Sequence, residues 1–211
     1  MGDPQMSMVE RAKNILLQPK SEWAAIEAEP ATVSGLFTGY AVILALLPVL
    51  GSVIGGVLLG SLFGRFGASL GFSFFLVSAL IGYVVSLAVL YAMILIIEAL
   101  LPAFDGEKDR VRAAKLAVYS ATPIWVLGFF SFIPGLNVLL LLAGFLYGAY
   151  LFYMGAGVVA KVPDAKAMGF TAVAIVIWVV LGWAVSAVVA GAVMSALFGG
   201  ALMGLGALAH M

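Results

Sequence analysis

Cysteine is absent from this chain of 211 residues, and the single histidine, His210, is the second-to-last residue. The lack of cysteine excludes disulfides, thiolate metal sites and a cysteine nucleophile. One histidine at the end of the chain gives no basis for histidine acid–base or metal chemistry. No carboxylate pair lies within the apolar segments, and no glycine-rich loop follows a strand. We therefore predict no catalytic residues, no metal site and no cofactor.

Charged residues are also scarce. They make up 9% of the chain, compared with about a quarter in an average soluble domain, and 64% of the residues are hydrophobic. The mean hydropathy is +1.20. Such a composition cannot cover a water-facing surface, so it indicates an integral membrane protein in contact with the lipid bilayer. Ten basic residues balance ten acidic ones, which makes nucleic acid an improbable partner.

The longest uncharged run lies between Lys115 and Lys161 and contains 45 positions. A proline–glycine turn at 134–135 divides it into residues 116–133 and residues 136–160. A helix rises about 1.5 Å per residue, and the hydrocarbon core of a bilayer is about 30 Å thick. Each part is therefore long enough to cross once, which predicts a tight antiparallel helical hairpin.

Three further apolar runs complete the predicted architecture. The fold class is all-α, a polytopic five-transmembrane-helix bundle. We predict a cytoplasmic N-terminal segment at 1–33, a membrane domain at 34–198 and a glycine-rich tail at 199–211. Pro48 falls inside the first span and should kink it. The five predicted spans are, approximately, residues 35–59, 72–101, 116–133, 136–160 and 170–197.

The N-terminal segment has the pattern of a short amphipathic helix at 6–17, which Pro19 ends. Trp23 follows in a second short helix and is predicted to be an interfacial anchor, with a buried ring and a hydrated N–H. The segment is either a membrane-surface helix or a lid on the cytoplasmic end of the bundle, and its short, weakly basic sequence favours the lid. Its predicted apolar arc consists of Met8, Val9, Ala12, Ile15 and Leu16, with Glu10, Arg11, Asn14 and Gln18 opposite.

The distribution of basic residues predicts the orientation. With five spans, nine of the ten lysine and arginine residues fall on the side of the N-terminus, and only Arg65 falls on the other. Short basic loops remain in the cytoplasm. We therefore predict a multi-pass protein of the cell inner membrane, with the N-terminus in the cytoplasm and the C-terminus outside. No cleaved signal peptide is expected, because the N-terminus lacks a short apolar run ending in small residues.

Glu98 is the only acidic residue inside an apolar run, and an ionisable group in a span is a functional candidate. It lies near the membrane surface, about one turn before Pro102, where a structural ion pair or hydrogen bond is the simpler interpretation. Lys108 and Lys115 are candidate partners, and Tyr119 and Thr122 lie at similar depth. The candidate intramembrane polar site is Glu98, Tyr119, Thr122 and Lys115.

Glycine and serine recur at helical spacing in several spans, as at Ser78, Gly82 and Ser86 in the second. Such faces allow helices to approach closely. Packing within the bundle is the simpler interpretation. A homodimer through these faces is the alternative, because the faces exceed what one five-helix bundle obviously needs.

Taken together, five segments in order resemble the Yip family, the membrane proteins named for interaction with Ypt/Rab GTPases, and specifically its short prokaryotic branch. The resemblance implies a fold and a membrane location but no established activity. Rab binding is not implied, because the N-terminal segment is much shorter than the cytoplasmic region of eukaryotic members. The matching segments are LLQPKSEWAAIEAEP at 16–30, GLFTGYAVILALLP at 35–48, LLPAFDGEKDRVRAAKLAVYSATPIW at 100–125, FIPGLNVLLLLAGFLYGAYLFYMG at 132–155 and KVPDAKAMGF at 161–170.

Two functions remain open at this level. The first is a non-enzymatic protein that organises membrane or unknown membrane-protein partners, which the resemblance also implies. The second is a small transporter, channel or lipid-translocating protein that uses Glu98. No convincing internal repeat of the kind common in transporters is present, which favours the first function.

Overall fold

In the computed structural model, residues 6–62, 64–133 and 135–208 are described, with side chains over 6–58, 76–133 and 135–191. The chain divides into two compact units, Met1–Ala174 and Ile175–Met211. The described part of the second unit is the later part of the last helix. The α-helices of the described residues are α1 (Met8–Leu17), α2 (Pro19–Ala28), α3 (Val33–Leu36), α4 (Val42–Leu44), α5 (Leu46–Leu62), α6 (Gly64–Leu100), α7 (Arg110–Ser120), α8 (Thr122–Gly128), α9 (Asn137–Val158) and α10 (Asp164–Leu208).

Five helical stretches of the described chain are long and apolar enough to cross a membrane, which confirms the predicted all-α, five-span fold. The third begins at Arg110 rather than at Leu116, because a helix can continue past the apolar region and carry charged side chains into water. We refer to the stretches as spans one to five, and they are Val33–Leu58, Leu76–Phe104, Arg110–Phe132, Asn137–Val158 and Asp164–Gly191.

Span three forms the centre of the first unit. In its most apolar window 67% of the residues are buried inside the protein, whereas the corresponding value for span two is 22%. Span three turns into span four near Gly135, whose positive φ of 81° is easily adopted by glycine. The predicted helical hairpin is therefore present, and its first helix lies at the core of the first unit.

Glycines allow the neighbours of span three to approach its backbone. A Cβ atom on Gly148 of α9 would lie 2.8 Å from the carbonyl oxygen of Ser120. A Cβ on Gly51 of α5 would lie 2.1 Å from the carbonyl oxygen of Phe129. These contacts confirm the packing interpretation for the small residues of spans one and four, since only glycine fits at this separation.

Spans one and three are both interrupted. Span one passes through a π-helical turn at Phe37–Ala41 and breaks again at Ala45, between α4 and α5. Span three breaks at Ala121, between α7 and α8. Pro48 and Pro123 lie shortly after these breaks, and each lacks the N–H that would bond one turn back. The kink predicted from Pro48 is thus found at Ala45.

Ion pairs gather three segments at one end of the first unit. Lys161 Nζ lies 2.9 Å from Glu27 Oε1, and this pair joins the start of the loop before α10 to α2. Arg112 Nη1 of α7 lies 3.6 Å from the same carboxylate oxygen. Lys166 lies 2.5 Å from Asp105 in the loop before α7. We call this the lid end, because the N-terminal helices cover it.

Candidate functional site

Helices α1 and α2 form a hairpin, which we call the lid. Ser7 caps α1, because its Oγ accepts from the Glu10 N–H at 3.2 Å while Glu10 Oε2 accepts from the Ser7 N–H at 3.1 Å. Hydrogen bonding by Ser7 lowers the pKa of Glu10. Pro19 is the first residue of α2, where a missing N–H is tolerated. The lid is packed on the bundle, as the favoured interpretation of the sequence predicted.

Arg11 holds the two lid helices together from inside. It is only 5% exposed, and its Nη1 donates to Glu22 Oε1 at 2.5 Å while its Nη2 donates to the Glu29 carboxylate. Burial alone would lower the pKa of Arg11, but the hydrogen bond that Arg11 donates to Glu29 and the charge of Glu22 outweigh burial and raise that pKa. The guanidinium also lies 6.0 Å from the ring centroid of Tyr119 on span three.

The predicted apolar arc of α1 therefore needs correction. Arg11, which was placed on the polar side, is buried, and Val9, which was placed on the apolar side, is 69% exposed. The helix is rotated so that Ala12 and Ile15 still face the bundle while Arg11 reaches the two glutamates. A helical wheel cannot foresee this rotation, because it scores the charge of Arg11 without its partners.

Hydrogen bonds from spans three and four cap both lid helices. The Nζ of Lys115 donates to the carbonyl oxygens of Ile26, in the last turn of α2, and of Glu29, just after that helix, both at 2.6 Å. The hydroxyl of Tyr147 donates to the carbonyl oxygen of Leu16 at 2.7 Å, in the last turn of α1. The last carbonyls of a helix have no partner within it, and a cation is favoured there. These bonds anchor the lid to the bundle.

Trp23 is completely buried between the lid and the bundle, so its N–H is not hydrated as predicted, and its role as an interfacial anchor stays a prediction. Its ring contacts Tyr119 edge-to-face at 6.3 Å, and a Cβ on Gly155 of span four would lie 2.8 Å from it. The indole N–H has no hydrogen-bond partner among the described residues. The ring is therefore held by packing, because Gly155 leaves room for it.

The structure gives Glu98 a partner outside the candidate polar site and groups the other three residues of that site with the lid and span one. Thr122 Oγ1 lies 2.9 Å from the hydroxyl of Tyr40 in span one, and the ring of Tyr40 packs against that of Tyr119 with centroids 4.8 Å apart. Tyr119, Thr122 and Lys115 thus all lie on span three, and each contacts the lid or span one. Tyr40 completes this group and was missed in the sequence, where it looked like one apolar residue of a span.

Glu98 has a different partner from those predicted. Its Oε2 accepts a hydrogen bond from Nε of Arg110 at 2.7 Å, with side chains 17% and 52% exposed. Lys115 is engaged by the carbonyls of the lid instead, and Thr122 by Tyr40. Arg110 was overlooked because it lies outside the apolar run, although helix α7 brings it back to the end of span two. Glu98 and Arg110 therefore form an ion pair at the end of span two. A role of Glu98 in transport or gating remains a hypothesis.

Arg112 and Glu27 extend the contacts of the lid to the loop before α10. Arg112 Nη1 donates to the carbonyl oxygen of Val159 at 2.8 Å, just past the end of α9, and Arg112 also pairs with Glu107 at 3.0 Å. The hydrogen bond from Lys161 lowers the pKa of Glu27. In the described part of the chain, no three histidine, aspartate or glutamate side chains are grouped so that they could hold a metal ion.

Comparison with known proteins assigns a family to this architecture. The family model described as the Yip1 domain matches residues 13–186, which include most of the lid and the greater part of all five spans. No curated protein matches the chain, and no solved structure matches it.

Proposed function

This chain belongs to the Yip family of membrane proteins, and on that basis we propose that it organises membrane or membrane-protein partners without catalysing a reaction. The family is non-enzymatic. The observation that carries the proposal is the buried pair of Arg11 and Glu22, which ties the lid together against the bundle. A lid fixed in this way presents one constant surface rather than a gate.

The outer face of the lid has the chemistry of a docking surface. Val9 and Leu17 are 69% and 68% exposed, and the exposed Lys13 lies between them on the same face of α1. Positions four residues apart lie on one side of a helix. Apolar side chains beside a lysine fit the boundary between lipid headgroups and acyl chains, or the surface of a membrane-protein partner.

We place the lid end in the cytoplasm and the protein in the inner membrane. The support is the accumulation of nine of the ten basic residues in three segments of the sequence. Salt bridges such as Lys161–Glu27 hold these segments at one end of the first unit. The C-terminus would then lie outside, after the fifth span.

Site-specific photocrosslinking in native membranes tests the organising role. A crosslinker at position 13, on the same exposed face of α1 as Val9 and Leu17, should label membrane-protein or lipid neighbours, and Val9→Gln/Leu17→Gln should reduce that labelling while the five spans stay in the membrane. Met168→Gln is the matched control, since Met168 is 71% exposed but lies outside the lid. Identical labelling in the lid variant and the control would contradict the proposal.

A flux assay separates this function from the transport alternative. Purified protein in liposomes should carry no solute, ion or lipid flux above that of empty liposomes. The Arg110–Glu98 pair supports this expectation, because each charge already has a partner of opposite sign. A flux that Glu98→Gln abolishes would establish the transporter instead.

We propose that any homodimer forms through the small face of span two. A Cβ on Gly82 would meet no atom within 4 Å, and Ser86 is exposed beside it. In contrast, Gly51 and Gly55 of span one and Gly144 and Gly148 of span four are occupied by contacts with span three. Crosslinking through a cysteine introduced at position 82 should capture a dimer, and a monomer at every expression level would reject it.

A further inference from the structure

A groove opens on the side of the bundle between spans one and two. Its volume is about 500 Å³, within the range of small-molecule sites. The walls include Val33 and Phe37 of span one and Leu87, Ala88 and Tyr91 of span two. Both walls belong to membrane spans, so the medium beside the groove is lipid. An acyl chain fits these mostly apolar walls, to which Ser34 and Thr38 add two hydroxyl groups.

Tyr91 connects the groove to charged groups at the lid end. Its ring packs edge-to-face on Phe37 with centroids 6.1 Å apart, and it lies on the same helix as Glu98. Glu98 lies seven residues further along α6, which is about 10 Å along the helix axis. The groove therefore leads from the apolar region to the ion pair of Arg110 and Glu98.

This ion pair leaves binding capacity unused. The bond between the two residues engages only Nε of Arg110 and Oε2 of Glu98. Within the residues the structure describes, the two terminal amino groups of Arg110 and the Oε1 of Glu98 have no hydrogen-bond partner. A guanidinium edge suits the two oxygens of a phosphate, and a carboxylate oxygen accepts from an ammonium group.

We propose that the groove and the ion pair together bind one phospholipid whose headgroup carries a phosphodiester and a primary ammonium, as in phosphatidylethanolamine. One acyl chain lies along Phe37 and Leu87. The phosphate accepts hydrogen bonds from Arg110, and the ammonium donates to Glu98.

The charges at the mouth decide which lipid is preferred. The headgroup of phosphatidylglycerol is anionic and has no ammonium group, so it cannot form an ion pair with the Glu98 carboxylate. A trimethylammonium headgroup has no N–H to donate to Glu98 Oε1. An acyl chain gains no hydrophobic energy by moving from bilayer to groove, so its packing holds the lipid while the headgroup supplies the selectivity.

The proposal depends on the membrane spans and not on the organising function, so either can fail alone. The full chain is placed in nanodiscs with equal parts of phosphatidylethanolamine, phosphatidylglycerol and phosphatidylcholine, and native mass spectrometry identifies the lipid it retains. Wild type should retain phosphatidylethanolamine about tenfold over the other two, as one charge-assisted hydrogen bond implies. Glu98→Gln keeps an acceptor for Arg110 but not the charge, and should remove this preference.

A pair of matched variants tests the groove. Ala88→Phe places a ring in the channel and should abolish retention, whereas Ala99→Phe, at an exposed position of the same helix outside the groove, should not. Where Ala88→Phe does not fold, Ala88→Leu takes its place and should lower retention. Retention of the three lipids in equal amounts by wild type, or equal retention by folded variants at positions 88 and 99, would overturn the proposal.

Discussion

The hydroxyl of Tyr40 lies 2.9 Å from Oγ1 of Thr122, and this contact joins the two interrupted spans of the bundle. Tyr40 belongs to the π-helical turn of span one, and Thr122 is the first residue after the break in span three. Both side chains are buried. Two helices that have each lost part of their internal hydrogen bonding are thus linked by side chains at their irregular points.

Removing this contact should destabilise the protein measurably. Tyr40→Phe leaves the buried hydroxyl of Thr122 without that partner, which costs about 1–3 kcal/mol. Thr122→Val alone should cost a similar amount, and the double variant should cost less than the sum. Thermal unfolding in detergent measures all three, and strictly additive losses would show that the two side chains are not coupled.

Arg11→Met should loosen the lid. Removal of the guanidinium leaves the carboxylate of Glu22 buried and unpaired, which lowers the free energy of unfolding by about 3–5 kcal/mol. Lys13→Met, an exposed change on the same helix, is the control and should have little effect. Limited proteolysis should therefore cut α1 and α2 faster in the Arg11 variant alone. Equal protection of both variants would refute the role assigned to Arg11.

Gly51→Ala and Gly82→Ala should differ sharply although they are the same chemical change. The first forces a Cβ to 2.1 Å from the carbonyl oxygen of Phe129, and the second meets no atom within 4 Å. Overpacking of this kind costs about 1–3 kcal/mol. A lowered melting temperature is expected for the Gly51 variant only, and equal temperatures would show that span one does not pack so closely on span three.

The contact between Glu27 and Lys161 should weaken in acid. The pKa of Glu27 is lower in the folded protein than the ordinary value of 4.5, because Lys161 donates a hydrogen bond to the Glu27 carboxylate. Its stabilising contribution is therefore present above pH 4.5 and lost as the pH falls through the lowered pKa. The difference in melting temperature between wild type and Glu27→Gln should shrink on acidification. A difference that stays constant from about pH 7 to about pH 3 would contradict this assignment.

Topology can be read with reporters that are active only in the cytoplasm. Fusion after Pro163, in the loop before α10, should give activity, and fusion after Leu197, beyond the fifth span, should give none. The physical reason is the retention of basic loops in the cytoplasm. Activity at the second site would mean that the chain crosses an even number of times.

The predictions from sequence were most accurate where composition alone decides the outcome. The five crossings and the hairpin turn near Gly135 follow from uncharged length and a turn signal. The surroundings of Arg11 and Glu98 were harder to predict. A charged side chain is expected to be exposed, or to be a functional site, as long as its partner is unknown. The partner of Arg11 lies eleven residues away in the next helix, and the partner of Glu98 lies beyond a loop.

The sequence by itself determined the number of membrane spans, because a long apolar helix is stable in a bilayer whichever helix it packs against. The tertiary structure decided that Trp23 is buried, that Lys115 caps the lid and that Glu98 pairs with Arg110. Each of these depends on where one side chain comes close to another atom from a distant part of the chain. Hydrogen bonds and ion pairs act over a few ångströms, so their partners are fixed only once the helices have packed.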